Sequence, residues 1–162
     1  RIGVAGTSAT VSSGSFVKAI GRIDPKISVF TKACPLFVNI VEEGYFSKGD
    51  PLPALVTERY LEPLKAAEID TLILGCTHFP MLSEVISDYM GEGVTLVNAG
   101  EETAKTAKAA LEADGLLNEK EVPGKTEFFV SDRPEGLSRI AEVFLGKKIS
   151  GDVTAIDWSD VL

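Results

Sequence analysis

The chain has few of the residues and patterns that several classes of protein require. Its 162 residues include two cysteines and one histidine, too few for a disulfide scaffold or a structural zinc site. No apolar run approaches the ~20 residues that cross a bilayer, and no charged-then-apolar start indicates a signal peptide. No Walker loop or G-x-G-x-x-G motif follows a predicted strand, which removes the main support for a nucleotide site. We therefore expect a soluble, cytoplasmic globular protein without a membrane partner.

Positive charge is also scarce. The chain has 16 Lys and Arg and 24 Asp and Glu, a formal net charge of −8. Nucleic-acid binding normally needs a basic face, and no basic cluster is longer than Lys147-Lys148. We expect no nucleic-acid partner.

Short apolar runs alternate with segments of helical periodicity along the chain. This alternation predicts an α/β fold with a parallel, doubly wound sheet. The run at residues 71–74 is typical of a strand buried on both faces, and Gly21 is expected to end the first helix. Strands are predicted at residues 2–5, 27–31, 71–74, 94–97, 127–130 and 153–156, and helices around residues 16–21, 35–44, 54–67, 80–90, 101–113 and 134–145.

Ligands of doubly wound sheets bind at the carboxyl ends of the strands. This rule indicates three loops, around Thr7, Cys34 and Cys76. Thr7 or Ser8 is a candidate helix cap, and the hydroxyls of Thr7, Ser8 and Thr10 are candidates for binding an anion. Cys34 lacks a nearby histidine, so we interpret it as a small buried hydrophobic residue.

Cys76 is the stronger candidate for chemistry. It lies between a predicted strand and a predicted helix, where a helix N-terminus favours the thiolate. His78, two residues later, could assist proton movement at the sulfur. A small buried cysteine beside a loop histidine fits the spacing equally well. Glu42 similarly fits either a solvated surface charge or a carboxylate turned into the cleft to polarise a base.

Three ordered blocks resemble a known family. Residues 74–82 (LGCTHFPML) closely resemble the second catalytic-cysteine motif of the cofactor-independent glutamate racemases. Residues 33–44 resemble a second recurring block of that family, and residues 1–10 a third. The likeness continues through residues 97–100 and 128–130 and so covers nearly the whole chain.

The resemblance implies a two-base mechanism without pyridoxal phosphate or a metal. One cysteine thiolate removes the α-proton of glutamate, and a second cysteine delivers a proton to the opposite face. By motif position, Cys76 is one of these bases and Glu42 an auxiliary acid or base. Thr77 and His78 contact or assist at the substrate, and Val38 contacts it.

The same resemblance implies an aspartate/glutamate racemase-like architecture, of which this chain holds a part. The Asp-Ser-Gly loop and the Cys-Asn-Thr block of the family's first domain do not occur. We expect residues 1–100 to form the second racemase domain, carrying Cys76, and residues 101–162 to pack on a first domain absent from this sequence. The expected partners are glutamate, that missing N-terminal domain and a second copy in a homodimer.

Two other functions remain alternatives. A racemase of aspartate or a hydantoin would use the same two-cysteine mechanism, and substrate trials would distinguish it from a glutamate racemase. A non-catalytic binding or regulatory module is the other alternative, because only one of the two catalytic-cysteine blocks occurs in this sequence.

We expect the purified 162-residue chain not to interconvert D- and L-glutamate, because one cysteine cannot serve both faces of the α-carbon. The measurement is the optical rotation or chiral chromatography of glutamate incubated with the chain. Sustained racemisation by the chain alone would contradict the prediction.

Overall fold

The computed structural model describes residues 1–118, 124–131, 134–149 and 153–157. The chain divides into two compact units, Arg1–Leu116 and Leu117–Leu162, and each is described by itself. The assignment of residues 101–162 to a separate racemase domain stays a prediction.

The first unit is a parallel sheet with helices between its strands. Its strands have the order β2-β1-β3-β4, so the predicted parallel α/β fold is confirmed. The elements are β1 Ile2–Gly6, α1 Ser8–Ser13, α2 Ser15–Ile23, β2 Val29–Ala33, α3 Leu36–Glu42, α4 Pro51–Ala66, β3 Thr71–Gly75, a 3-10 turn Phe79–Leu82, α5 Ser83–Met90, β4 Thr95–Asn98 and α6 Ala99–Ala113.

The strand order places a topological switch point between β1 and β3. These central strands pair in parallel, with Gly6 beside Gly75. The chain leaves β1 toward β2 on one side and leaves β3 toward β4 on the other. The two loops therefore diverge and leave a crevice between them, which is where ligands bind in open α/β sheets.

The helices cover the two faces of the sheet to different extents. A Cβ at Gly3 would lie 3.5 Å from Leu64 of α4, whereas one at Gly75 would lie 3.1 Å from Phe16 of α2. On the α4 face Leu72 and Leu74 are fully buried. Ile73, on the α2 face, is only half-buried. The prediction of a strand buried on both faces is therefore wrong, because the α2 face is covered incompletely.

The predicted first helix, around residues 16–21, lies within α2, and a short helix that was not predicted, α1, precedes it. Gly14 adopts φ 62° between α1 and α2, and its N–H caps α1 by donating to Val11 O. Gly21 lies inside α2, whose C-cap is Asp24. The predicted C-cap at Gly21 is wrong: the left-handed conformation that favours glycine occurs at Gly14, seven residues earlier.

Helix α6 has no buried residue. Asn98 caps it by accepting hydrogen bonds from Gly100 N at 3.0 Å and Glu101 N at 3.3 Å. Lys105 pairs with Glu101 and Glu102 one turn earlier. Leu111 and Leu116, in and after the last turn, are among the exposed large apolar residues of the described chain.

The second unit contains β5 Phe128–Val130, α7 Pro134–Leu145 and β6 Val153–Ala155. The two strands pair in parallel, and Ile156 N extends the pairing by donating to Val130 O at 2.7 Å. The predicted strands and helix of this region are present. No helix in the described part of the chain is both long and apolar enough to span a bilayer.

Two glycines give opposite expectations for stability. A Cβ at Gly3 would lie 2.5 Å from the buried Ile69 Cδ1, so we expect Gly3→Ala to destabilise the first unit by about 1–3 kcal/mol through overpacking. A Cβ at Gly21, inside α2, meets nothing within 4 Å. We expect Gly21→Ala to stabilise by about 0.5–1 kcal/mol, because alanine has the better helix propensity. Urea unfolding followed by circular dichroism checks both, and equal shifts in the two variants would contradict the packing of Gly3.

Candidate active site

The loops after β1 and β3 start side by side because glycines end both strands. A Cβ at Gly75 would lie 3.1 Å from the Ala5 carbonyl oxygen and 3.1 Å from the Phe16 ring. A side chain there would force the strands or α2 apart. The absence of one lets Thr7 and Cys76 follow directly from neighbouring strand ends.

Thr7 begins the first loop and is the N-cap of α1. Its Oγ1 accepts from Thr10 N at 3.2 Å and lies 3.0 Å from Thr10 Oγ1. The capping role predicted for Thr7 is confirmed. Thr7 follows β1 directly, so this pair of hydroxyls lies near the end of the sheet at which the Cys76 loop also starts.

Cys76 lies in the loop between β3 and the 3-10 turn. Its carbonyl accepts from Phe79 N at 3.2 Å, and His78 O accepts from Met81 N at 3.1 Å. These two bonds make the loop a tight turn, and Cys76 within it is half-buried. The α-helix proper starts only at Ser83. Cys76 therefore lies more than one turn before α5, and not directly at an α-helix N-terminus as the sequence predicted.

His78 joins this loop to helix α3. Its Nε2 lies 3.0 Å from Glu42 Oε1, and its Nδ1 lies 3.3 Å from Thr77 Oγ1. A neutral imidazole with the proton on Nε2 donates to Glu42 and accepts from the Thr77 hydroxyl, so both contacts fit one tautomer. The His78 side chain is 20% exposed and that of Glu42 is 41% exposed. Glu42 is therefore turned toward His78, as its functional interpretation requires.

Aromatic packing holds α3 against the Cys76 loop. The Phe37 and Phe79 rings meet edge to face, with centroids 5.1 Å apart, and both side chains are fully buried. Such pairs contribute about 0.5–1.5 kcal/mol beyond the area that they bury. Phe79 follows His78 directly, so this contact fixes α3 relative to the histidine.

Cys34 is chemically different from Cys76. Its side chain is fully buried, and burial raises the pKa of the thiol to about 12, opposed in part by the positive charge of Lys32. The thiol donates a long hydrogen bond of 3.6 Å to Lys32 O. The interpretation of Cys34 as a buried hydrophobic residue is confirmed.

The structure brings three of the predicted site residues together. Glu42, Thr77 and His78 form one hydrogen-bonded group, and Cys76 lies on the same loop. Val38 is half-buried on α3 and makes no polar contact in this group. Sequence reasoning missed Phe37, whose ring packs on Phe79, and Tyr60, whose ring packs on Phe37. No local pattern links Tyr60 to a helix 24 residues earlier.

Other features of the described residues lie apart from this group. A groove of about 590 Å³ lies between α4 and α5, lined in part by Leu55, Glu58, Val85 and Tyr89. It contains none of the predicted site residues. Within the described ranges, no three His, Cys, Asp or Glu side chains lie close enough to hold a metal ion.

Comparisons of sequence and of structure both match the chain to glutamate racemases. The chain is 44% identical over 153 residues to the glutamate racemase of Geobacter metallireducens, covering 94% of this chain and 56% of that protein. It superposes on the crystal structure of glutamate racemase from Francisella tularensis in complex with D-glutamate with a TM-score of 0.87 and 30% identity, covering 98% of this chain and 58% of that one. For the Thermus thermophilus glutamate racemase in complex with β-chloro-D-alanine, the TM-score is 0.83, the identity 38% and the coverage 99% and 57%. No protein-family model matches the chain.

The fold and the cysteine loop at the switch point define an α/β protein of the aspartate/glutamate racemase-like class. Within that class, the chain is similar in sequence and in structure to glutamate racemases. The chain spans about half the length of the curated relatives that it matches.

The two thiols should differ sharply in their reactivity toward an alkylating reagent. We expect iodoacetamide at neutral pH to modify Cys76 in the native chain and to spare Cys34, whose thiol is buried and whose pKa is raised to about 12. The thiolate is the reacting species, so Cys34 should react only after unfolding. Peptide mass spectrometry of native and urea-treated samples makes the measurement. Modification of native Cys34 at the rate of Cys76 would contradict the assigned burial.

Proposed function

We propose that this chain supplies one half of the active site of a glutamate racemase, with Cys76 as one of two proton-transferring cysteines. The observation that carries the proposal is the position of Cys76 at the switch point of the sheet, in a loop whose His78 is hydrogen-bonded to Glu42 at 3.0 Å. The names of the relatives, which are glutamate racemases, support the substrate.

The chemistry requires the arrangement that we propose. The α-proton of an amino acid is weakly acidic, so a base must be desolvated, aimed at the carbon and matched by an acid on the opposite face. Cys76 is half-buried at the crevice, whereas Cys34 is buried, with its pKa raised to about 12. Cys34 therefore cannot be the second base. We propose that this base is a cysteine on an N-terminal domain outside this sequence, against which residues 101–162 pack.

His78 and Glu42 are proposed to assist proton transfer to and from the Cys76 sulfur. A histidine whose ring is oriented by a carboxylate can accept the thiol proton and return it during turnover. In this proposal Glu42 holds the ring through Nε2 and acts as the auxiliary acid or base. No cofactor takes part.

The proposed substrate contacts are Thr77, His78 and Val38. Thr77 is exposed beside the His78 ring, and its hydroxyl could turn from His78 Nδ1 to donate to a substrate carboxylate. At the neighbouring strand end, the Thr7 and Thr10 hydroxyls bond to each other, which leaves one hydroxyl proton as a further donor without adding a basic side chain. Hydroxyl and N–H donors would let this acidic chain bind an acidic amino acid.

The proposal extends to the setting of the enzyme. The racemase would act in the cytoplasm, as a homodimer, and supply D-glutamate for peptidoglycan. The alternatives are a racemase of aspartate or a hydantoin and a non-catalytic module. A chimera provides the test that separates all three.

In the chimera, this chain replaces the matching segment of the Geobacter metallireducens racemase. We expect it to interconvert L- and D-glutamate and to leave L-aspartate unchanged. Cys76→Ser should lower kcat by about 10²–10⁴-fold, the usual contribution of a positioned acid or base. Cys34→Ala is the matched control and should keep kcat close to that of the unsubstituted chimera.

The decisive comparison is between the two cysteine variants. A folded chimera in which Cys76→Ser racemises glutamate as fast as Cys34→Ala would overturn the proposed role of Cys76. Activity on aspartate in place of glutamate would favour the alternative racemase. Glutamate binding without turnover would favour the non-catalytic module.

A further inference from the structure

Tyr60 connects helix α4 to the candidate site. Its hydroxyl oxygen accepts a hydrogen bond from Leu36 N at 3.3 Å. Its ring packs edge to face on Phe37, with centroids 5.4 Å apart and an interplanar angle of 86°. Tyr60 therefore contacts α3, which carries Glu42, although α4 carries none of the predicted site residues.

The hydrogen bond from Leu36 N replaces a capping interaction that α3 otherwise lacks at its N-terminus. The first amides of a helix have no partner within it, and the residue before Leu36 is Pro35, whose side chain gives no capping bond. The usual Ser, Thr, Asp or Asn cap is therefore missing. The Tyr60 hydroxyl supplies an acceptor from a separate helix.

The ring contact continues through α3 to the histidine loop. Phe37 packs on Tyr60 with one edge-to-face contact and on Phe79 with another. Phe79 is the residue after His78. A line of three rings thus joins α4, α3 and the Cys76 loop.

Small movements of α3 should displace the Glu42 side chain. The helix is short, with about 9 Å from Leu36 to Glu42 at 1.5 Å per residue, so loss of support at one end tilts the whole element. The Glu42–His78 bond is 3.0 Å long, and an N–H···O bond weakens as its atoms separate or its angle departs from linear. The bond therefore tolerates only a slight displacement.

We propose that Tyr60 is a positioning residue for this site: its hydroxyl and ring hold α3 so that Glu42 stays hydrogen-bonded to His78. The catalytic meaning of that bond rests on the proposed function. The positioning itself does not, because it is a relation among residues of this chain.

The chain contains one histidine, so the ring ¹⁵N signals of His78 can be assigned without ambiguity. The experiment records them at a fixed neutral pH for the unsubstituted chain and for Glu42→Gln, Tyr60→Phe and Tyr60→Leu. Tyr89→Phe, the same change on α5, is the matched control. Circular dichroism of each variant reports whether the fold is kept.

We expect Glu42→Gln to shift the His78 ring signals, because an amide replaces the carboxylate partner. Tyr60→Phe should shift them in the same direction, and Tyr60→Leu, which also removes the ring, should shift them further. Tyr89→Phe should leave them in place. A merely structural loss of stability would not move the ring signals of a chain that is still folded.

Two results would overturn the proposal. One is a folded Tyr60→Phe whose His78 signals coincide with those of Tyr89→Phe. The other is a Glu42→Gln that shifts nothing, since the bond that Tyr60 is said to hold would then be absent in solution. Both are read without racemase activity, so an inactive chimera would count against the proposed function and leave this result unaffected.

Discussion

The parallel pairing of β1 with β3 is the constraint on which the site depends. It places Gly6 beside Gly75, so the loops that follow them begin at the same edge of the sheet and diverge. Much of the proposed site uses this edge: Thr7 and Thr10 follow β1, and Cys76 with His78 follow β3. Glycine at both strand ends is the local requirement, because a side chain at Gly75 would strike the Ala5 carbonyl.

Burial separates two cysteines that look alike in the sequence. Each follows a strand and precedes a helix, and Cys34 is even followed directly by a proline. Only Cys76 is left partly exposed, whereas Cys34 is fully buried and desolvation raises its pKa to about 12. Two cysteines in similar sequence settings thus differ in whether solvent can reach the thiol.

Much of the fold could be predicted from the sequence, because strand runs and helical stripes are local patterns. The strand ending at Gly75 is an example, although its apolar run could not show that the face bearing Ile73 is covered incompletely. Helix α1 was missed because the apolar stripe at Phe16, Val17 and Ile20 predicts α2 and does not extend back to residues 8–13. The Glu42–His78 bond joins residues 36 positions apart. The residue pattern left Glu42 as either a solvated charge or a carboxylate turned into the cleft, and only the family resemblance favoured the second interpretation.

Helix α6 has a consequence for how the molecule unfolds. A helix with no buried residue gains little from tertiary packing, and a helix of about 12–15 residues is marginal in water without it. What holds α6 is local: the Asn98 cap, its alanines and the pairing of Lys105 with two glutamates, which raises the pKa of that lysine. Its amides should therefore open to solvent independently of the sheet, and added salt should weaken α6 while the strands beside it remain intact. The first unit is thus built of two cooperative parts, a sheet held by packing and a helix held by its own sequence.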